Sequence, residues 1–346
     1  MNRIAALLSI LWTCPLAIAA DWTTWRADSQ RSGYTSDHLS DNLSLQWTWM
    51  PQHKPLPAWP RDERMSFDRV NHVIVAGSLV CFGSSADSSV TALDAATGKV
   101  CWSFITGGPV RFAPTAWEDR LFVTSDDGYL YALKLSSGEL IERWRGGPTD
   151  ERVLGNSQVV SRWPARGGVV IRDDVLYWGA GIWQSEGIFL HAMELRTGEK
   201  LWINDNSGQI EMPQPHGGAV AKSGVSAQGY LLANEERLLV PTGRAVPAVF
   251  DRQTGKFEYY RLQENTHIGD TAALIHGDLF YNGGHAYQTA DGSVLNERIP
   301  GVVAAFPDGI IHAVGNKLAS LAVGTRETVD RRGNPLVVPA HEARWR

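Results

Sequence analysis

Apolar and polar residues alternate in short runs along most of the chain, and glycine-rich polar turns separate the runs. Arg120-Leu121-Phe122-Val123-Thr124-Ser125 reads as a strand, Asp126-Asp127-Gly128 as a hairpin turn, and Tyr129-Leu130-Tyr131-Ala132-Leu133 as its partner. Residues 309–315, Asn316-Lys317 and residues 318–321 repeat that hairpin. No long apolar pattern with a 3.6-residue period follows residue 20, so the pattern predicts an all-β chain of short strands.

One turn motif returns along the chain. Its clearest copy is Ala92-Leu93-Asp94-Ala95-Ala96-Thr97-Gly98-Lys99-Val100-Cys101-Trp102. Further copies end their turns at Gly138, Gly198 and Gly255, with a weaker fifth at Gly292. In each, an alternating strand ends, a polar turn reverses the chain and another strand begins. Glycine suits the left-handed turn position, where a Cβ costs energy. Asp94 and Asp251 can accept hydrogen bonds from their own turn's amides, and the tryptophan that follows would fill space between neighbouring sheets. Successive glycines lie 40, 60, 57 and 37 residues apart. The short intervals give a bare repeat of four strands, and the long ones predict insertions near residues 145–165 and 203–224. Iterated four-strand units predict a β-propeller of four-stranded antiparallel blades. Six are countable, at 70–110, 111–148, 161–209, 224–264, 267–301 and 302–346. A β-sandwich would not require one turn to return five times. The 34 glycines and 14 tryptophans agree with many tight turns and large aromatic anchors.

Residues 1–20 read as a signal peptide: Arg3 is followed by an apolar stretch to Trp12, too short to span a bilayer, and by Ala17-Ile18-Ala19. Export to the periplasm or the extracellular space is expected. Two cysteines then remain, Cys81 and Cys101. The strand pattern puts them two strands apart, roughly 9–10 Å, which is beyond disulfide reach, so both are expected as buried free thiols.

The repeated Ala-x-Asp-x-x-Thr-Gly-x-x-x-Trp pattern resembles the PQQ-like repeat of quinoprotein-type propellers, across most of residues 70–301. Asp21-Trp22, Trp25-Arg26-Ala27-Asp28 and Arg31-Ser32-Gly33 are similar to the lead-in before such propellers. By the same resemblance, residues 21–69 form a lead-in whose Leu45-Gln46-Trp47-Thr48-Trp49 is an outer strand closing the ring, and residues 70–346 form the propeller. The resemblance implies seven or eight blades, so a six-bladed count leaves the ring short. Glu342-Ala343-Arg344-Trp345-Arg346 reads as the start of another outer strand. The resemblance also brings an activity to weigh, a dehydrogenase in which PQQ stacks on tryptophan beneath a disulfide of adjacent cysteines. Calcium polarises the quinone and an Asp takes the substrate proton. This chain has no adjacent cysteine pair. The same repeat also serves assembly scaffolds without a quinone. A non-catalytic binding or scaffold module without cofactor is therefore expected, and a PQQ- and calcium-dependent alcohol or sugar dehydrogenase is the alternative.

The formal charge is -5 and no Lys/Arg run occurs, which argues against a nucleic-acid partner. No His-Glu-x-x-His or Cys-x-x-Cys suggests zinc, and neither Ser157 nor Ser223-Gly224 lies in a nucleophile elbow. His216-Gly217-Gly218 reads as a loop, and Asp126-Asp127-Gly128 lacks the further ligands of a calcium loop. Aligning the repeats does single out one slot, just before each innermost strand. It holds Arg69, Arg111 and Gln228, with Arg166 one place later. Such a channel rim could bind an anionic ligand or a partner's carboxylates, or each arginine could pair with an acid within the fold.

Overall fold

The computed structural model describes residues 21–58, 69–155, 158–214, 218–243, 245–262, 269–329 and 332–345. It is a β-propeller. The first blade consists of strands Val73–Ala76, Leu79–Ser84, Ser89–Asp94 and Val100–Ile105, paired in chain order and antiparallel throughout. The same meander recurs five times, with innermost strands at Thr115–Trp117, Gly167–Arg172, Leu232–Ala233, Ala273–His276 and Val302–Phe306. The expected insertions are two-stranded hairpins, Arg152–Gly155 with Gln158–Ser161 and Ile210–Pro213 with Val220–Ser223.

The turn chemistry follows from the motif. Asp94 Oδ1 accepts from Thr97 N (2.8 Å) and Thr97 Oγ1 (2.6 Å), and Asp251 holds Thr254 in the same way. These bonds bend the chain into a turn whose glycine takes a positive φ, +69° at both Gly98 and Gly255. An aromatic side chain from the preceding outer strand then lies on the bare glycine and donates to a carbonyl of the turn. Trp102 Nε1 reaches Leu135 O (2.9 Å), Trp202 Nε1 reaches Arg252 O (3.0 Å), and Tyr259 Oη reaches Thr289 O (2.7 Å). A Cβ on Gly138 or Gly255 would lie 2.4 Å from the tryptophan ring. Trp102 is buried and Trp202 half-buried. The junction between the second and third blades departs from this rule. Its outer strand carries Glu142 at the tryptophan's register, and Arg120, stacked on Trp117, donates instead to Leu195 O (2.9 Å).

Three expectations change. Residues 43–49 form no strand and pair with no blade. Trp47 nevertheless donates to Ala95 O (2.9 Å) and covers Gly98, the position an outer-strand tryptophan takes at other junctions. Residues 342–345 belong to the sixth blade's own outer strand, Pro335–Trp345, because the preceding strand is extended to Lys317–Val329 and pairs along it. Cys81 and Cys101 are both free, but only Cys81 is buried. Alternation along Val100–Ile105 turns Trp102 toward the next blade and leaves Cys101 on the exposed face. The signal-peptide reading falls on residues 1–20, outside the described residues.

Residues 22–33 run across the hub and bind the innermost strands of the blades in turn. Trp22 pairs with Val75, Thr23 O accepts from Ala116 N, Ser29 O from Ala233 N, Gln30 O from Ile275 N and Ser32 O from Ala305 N. Arg31 is fully buried, and its guanidinium donates to Leu231 O (2.9 and 2.7 Å), Val169 O (2.7 Å) and Thr24 Oγ1 (2.7 Å). Positive φ values at Arg26, Ala27 and Arg31 bend this segment tightly, and Asp28 Oδ1 accepts from the amides of Gln30 and Ser32. The lead-in is thus a hub strap, satisfying backbone groups that a channel would otherwise leave to water.

Candidate functional site at the channel rim

Arg111 and Arg166 precede the second and third innermost strands, as the repeat alignment expects. Both meet Asp126, which lies in the turn between the middle strands of the second blade. Arg111 Nε donates to Asp126 Oδ2 (2.7 Å); Arg166 Nε donates to Oδ1 (2.9 Å) and its Nη2 to Oδ2 (2.8 Å). The arginine side chains are 4% exposed and the aspartate 1%. Burial pushes Asp126 up, but Arg166 and Arg111 together outweigh it, so the carboxyl lies below its ordinary value. Arg111 Nη1 also donates to Leu56 O (2.9 Å).

Gln228 joins the same region through backbone pairing. Gly229–Tyr230 runs parallel to the start of the third blade's inner strand, with Gly167 opposite Gly229, which makes Arg166 and Gln228 neighbours. Gln228 Nε2 donates to Ser226 Oγ (3.1 Å), and Ser226 donates to Ile182 O (2.8 Å). That chain fixes the amide's orientation and leaves Gln228 Oε1 buried without a partner, as is Arg166 Nη1. One unused donor beside one unused acceptor suits a water or a hydroxyl better than a bare anion.

Beneath the rim, Tyr230 stacks on Trp25 of the hub strap at 4.0 Å, and Phe112 meets it edge-on. Tyr230 Oη accepts from Ala113 N (2.7 Å), so its own proton is available to His72 Nδ1 (2.8 Å). Burial lowers His72, which favours the neutral ring that can accept this proton. Arg69 does not join the cluster. It is exposed and lines a separate cleft with Trp47 and Trp49. His216 and Gly217 lie outside the described residues.

Asp126 was overlooked in the sequence because Asp126-Asp127-Gly128 is a sufficient hairpin turn. The available signal was that a turn needs one acid and this one carries two. Arg31 was marked only as part of the Arg31-Ser32-Gly33 lead-in motif, and its partners gave no signal because they are mostly backbone carbonyls.

A PQQ-repeat family model described as outer membrane protein assembly factor BamB matches residues 20–221. None of the curated proteins matches the chain. Among solved structures, quinohemoprotein alcohol dehydrogenase from Comamonas testosteroni is similar with a TM-score of 0.59 at 13% identity, over 88% of this chain and 59% of that one. This chain therefore spans less than two thirds of that enzyme's length. A europium-containing methanol dehydrogenase gives a TM-score of 0.54 at 11% identity, over 89% of this chain and 69% of that one. BamB from Moraxella catarrhalis gives 0.39 at 14% identity, over 68% and 78%. At these identities the likeness to the two dehydrogenases is one of fold. Among the described residues no helix is long and apolar enough to cross a membrane.

Proposed function

The chain belongs to the family described as outer membrane protein assembly factor BamB, and we propose that it is an exported, non-catalytic propeller that binds a protein or a small anionic ligand. The observation that carries this reading is the state of Asp126. A general base needs a free carboxylate with substrate access. Asp126 is buried, and both its oxygens are taken by Arg111 and Arg166. The quinone chemistry implied by the repeat asks for a proton-accepting aspartate and a cover of adjacent cysteines. The rim's Asp126 is engaged by two arginines and the sequence has no adjacent cysteine pair, so the residues present at the rim do not fit that chemistry. The hub strap supports the same reading, because residues 22–33 occupy the axis with the chain's own backbone. The charged n-region and alanine-rich stretch within residues 1–20, together with the family's outer-membrane description, support export.

The test is reconstitution of the purified protein with PQQ and calcium, followed by absorption spectroscopy and a dye-linked assay with alcohols and sugars. The expected result is no bound quinone and no turnover. Stoichiometric quinone with substrate-dependent dye reduction would replace this reading with a dehydrogenase.

A further inference from the structure

We propose that the cleft between the first blade and residues 47–56 binds a small amphipathic carboxylic acid, with Arg69 and Asn71 on the carboxylate. The proposal rests on the binding-module reading and gives it a site and a ligand class.

The cleft has two walls. One is the face of the first blade turned away from the second, where Val80, Phe82 and Leu93 line the space. The other is residues 47–56, fastened at both ends: Trp47 Nε1 to Ala95 O (2.9 Å), and Leu56 N to Ser85 Oγ (2.9 Å). Trp49 packs against Phe82 with ring centroids 4.7 Å apart, so the aromatic floor is built in place. At other junctions this face of a blade is covered by its neighbour; here Val73 remains 48% exposed. The volume is about 400 Å³, within the ~300–1,000 Å³ of small-molecule sites.

Polarity at the mouth names the ligand. Arg69 and Asn71 line the cleft, and neither makes a hydrogen bond or ion pair among the described residues. The acids on the same blade are already engaged, Asp87 by Ser84 and His53 and Asp94 by Thr97. One guanidinium and one amide without a partner among the described residues, beside an apolar, aromatic slot, match a single planar carboxylate on an apolar body. A doubly charged phosphate would ask for a second cation. Arg111 and Arg166 are buried on Asp126, so Arg69 is the one arginine of the repeat slot that reaches an open cleft among the described residues.

The experiment is calorimetric titration of the full chain with decanoate, decanol and decyltrimethylammonium. Decanoate should bind about tenfold or more tighter than decanol, the ratio expected of one charge-assisted contact. Arg69→Gln should bring decanoate down to the level of decanol without altering the melting temperature, since Arg69 makes no hydrogen bond or ion pair among the described residues. Val80→Trp, which fills the slot, should abolish both. Equal affinities for decanoate and decanol, or an Arg69→Gln variant that binds as wild type, would overturn the carboxylate assignment. No binding, with sedimentation showing a dimer that Val80→Trp disperses, would overturn it in favour of an interface between copies. These outcomes are independent of the dye-linked assay, which alone decides between binding module and dehydrogenase.

Discussion

Replacing Asp126 with Asn separates the two roles a rim carboxylate could have. The substitution keeps the side chain's shape and one acceptor oxygen but removes the charge that Arg111 and Arg166 share. Three hydrogen bonds of 2.7–2.9 Å converge on that carboxylate, and all three side chains are at most 4% exposed. Water cannot take over the lost partner. Removing one member of a buried ion pair costs about 3–5 kcal/mol, and urea denaturation followed by tryptophan fluorescence should return a loss in that range. Glu139→Gln, at an exposed turn, is the control and should stay within about 0.5 kcal/mol of wild type. The pH dependence has a fixed sign. Asp126 titrates lower in the folded state than in the unfolded one. Its contribution is therefore fully present above the unfolded value near ~3.9 and is lost as pH falls through the folded value. Wild type should lose stability over that acid window more steeply than Asp126→Asn does. A variant within about 1 kcal/mol of wild type, with parallel acid curves, would refute the view that this cluster is structural cement.

Trp102→Ala should cost about 3–5 kcal/mol, and Trp202→Ala less because Trp202 is only half-buried; equal melting temperatures for wild type and Trp102→Ala would show that the tryptophan-on-glycine contact does not hold blades together. Arg31→Met should cost at least about 2 kcal/mol, since two buried carbonyls, Leu231 O and Val169 O, lose their donors. The same change should let a protease cut within residues 22–33 before global unfolding, and a strap that stays resistant would count against its role as a hub fastener. Gly255→Ala should destabilise more than Gly198→Ala: both glycines are left-handed, but an added Cβ meets Trp202 at 2.4 Å in the first and open space in the second; indistinguishable denaturation midpoints would contradict the docking geometry.

The blades were legible because each is built from local signals. The Asp-x-x-Thr-Gly turn closes on itself within five residues, and strand alternation shows which face is buried. Even the insertions announced themselves through the spacing of the turn glycines. The hub strap was legible as a lead-in motif, but its path across the hub was not, for a physical reason. Arg31 reaches carbonyls 138 and 200 residues away, at Val169 and Leu231, and a backbone carbonyl has no side-chain identity to read. Trp47 was half legible: its likeness to an outer-strand tryptophan matches its seat on Gly98, yet no strand pairing accompanies it.

The rim shows most directly how one repeat position can acquire two roles. Arg69, Arg111 and Arg166 lie near the same point of three successive blades, so the alignment treats them alike. What separates them is the turn between the middle strands. In the second blade that turn carries Asp126, pointed inward, and it captures Arg111 from its own blade and Arg166 from the next. In the first blade the corresponding turn carries Asp87, which is held by His53 and Ser84, and Arg69 meets no acid among the described residues. Moving the acid by one turn position thus converts an internal ion pair into an open guanidinium. The consequence is specific: placing an acid on the inner side of the first blade's turn, as in Ser85→Asp, should draw Arg69 inward. It should weaken decanoate binding as Arg69→Gln does, whereas Ser85→Asn, which alters the same contact with Leu56 N without adding a charge, should leave decanoate binding as in wild type. A Ser85→Asp variant that binds decanoate as wild type would mean that the position of the turn acid does not decide which arginine serves the ligand.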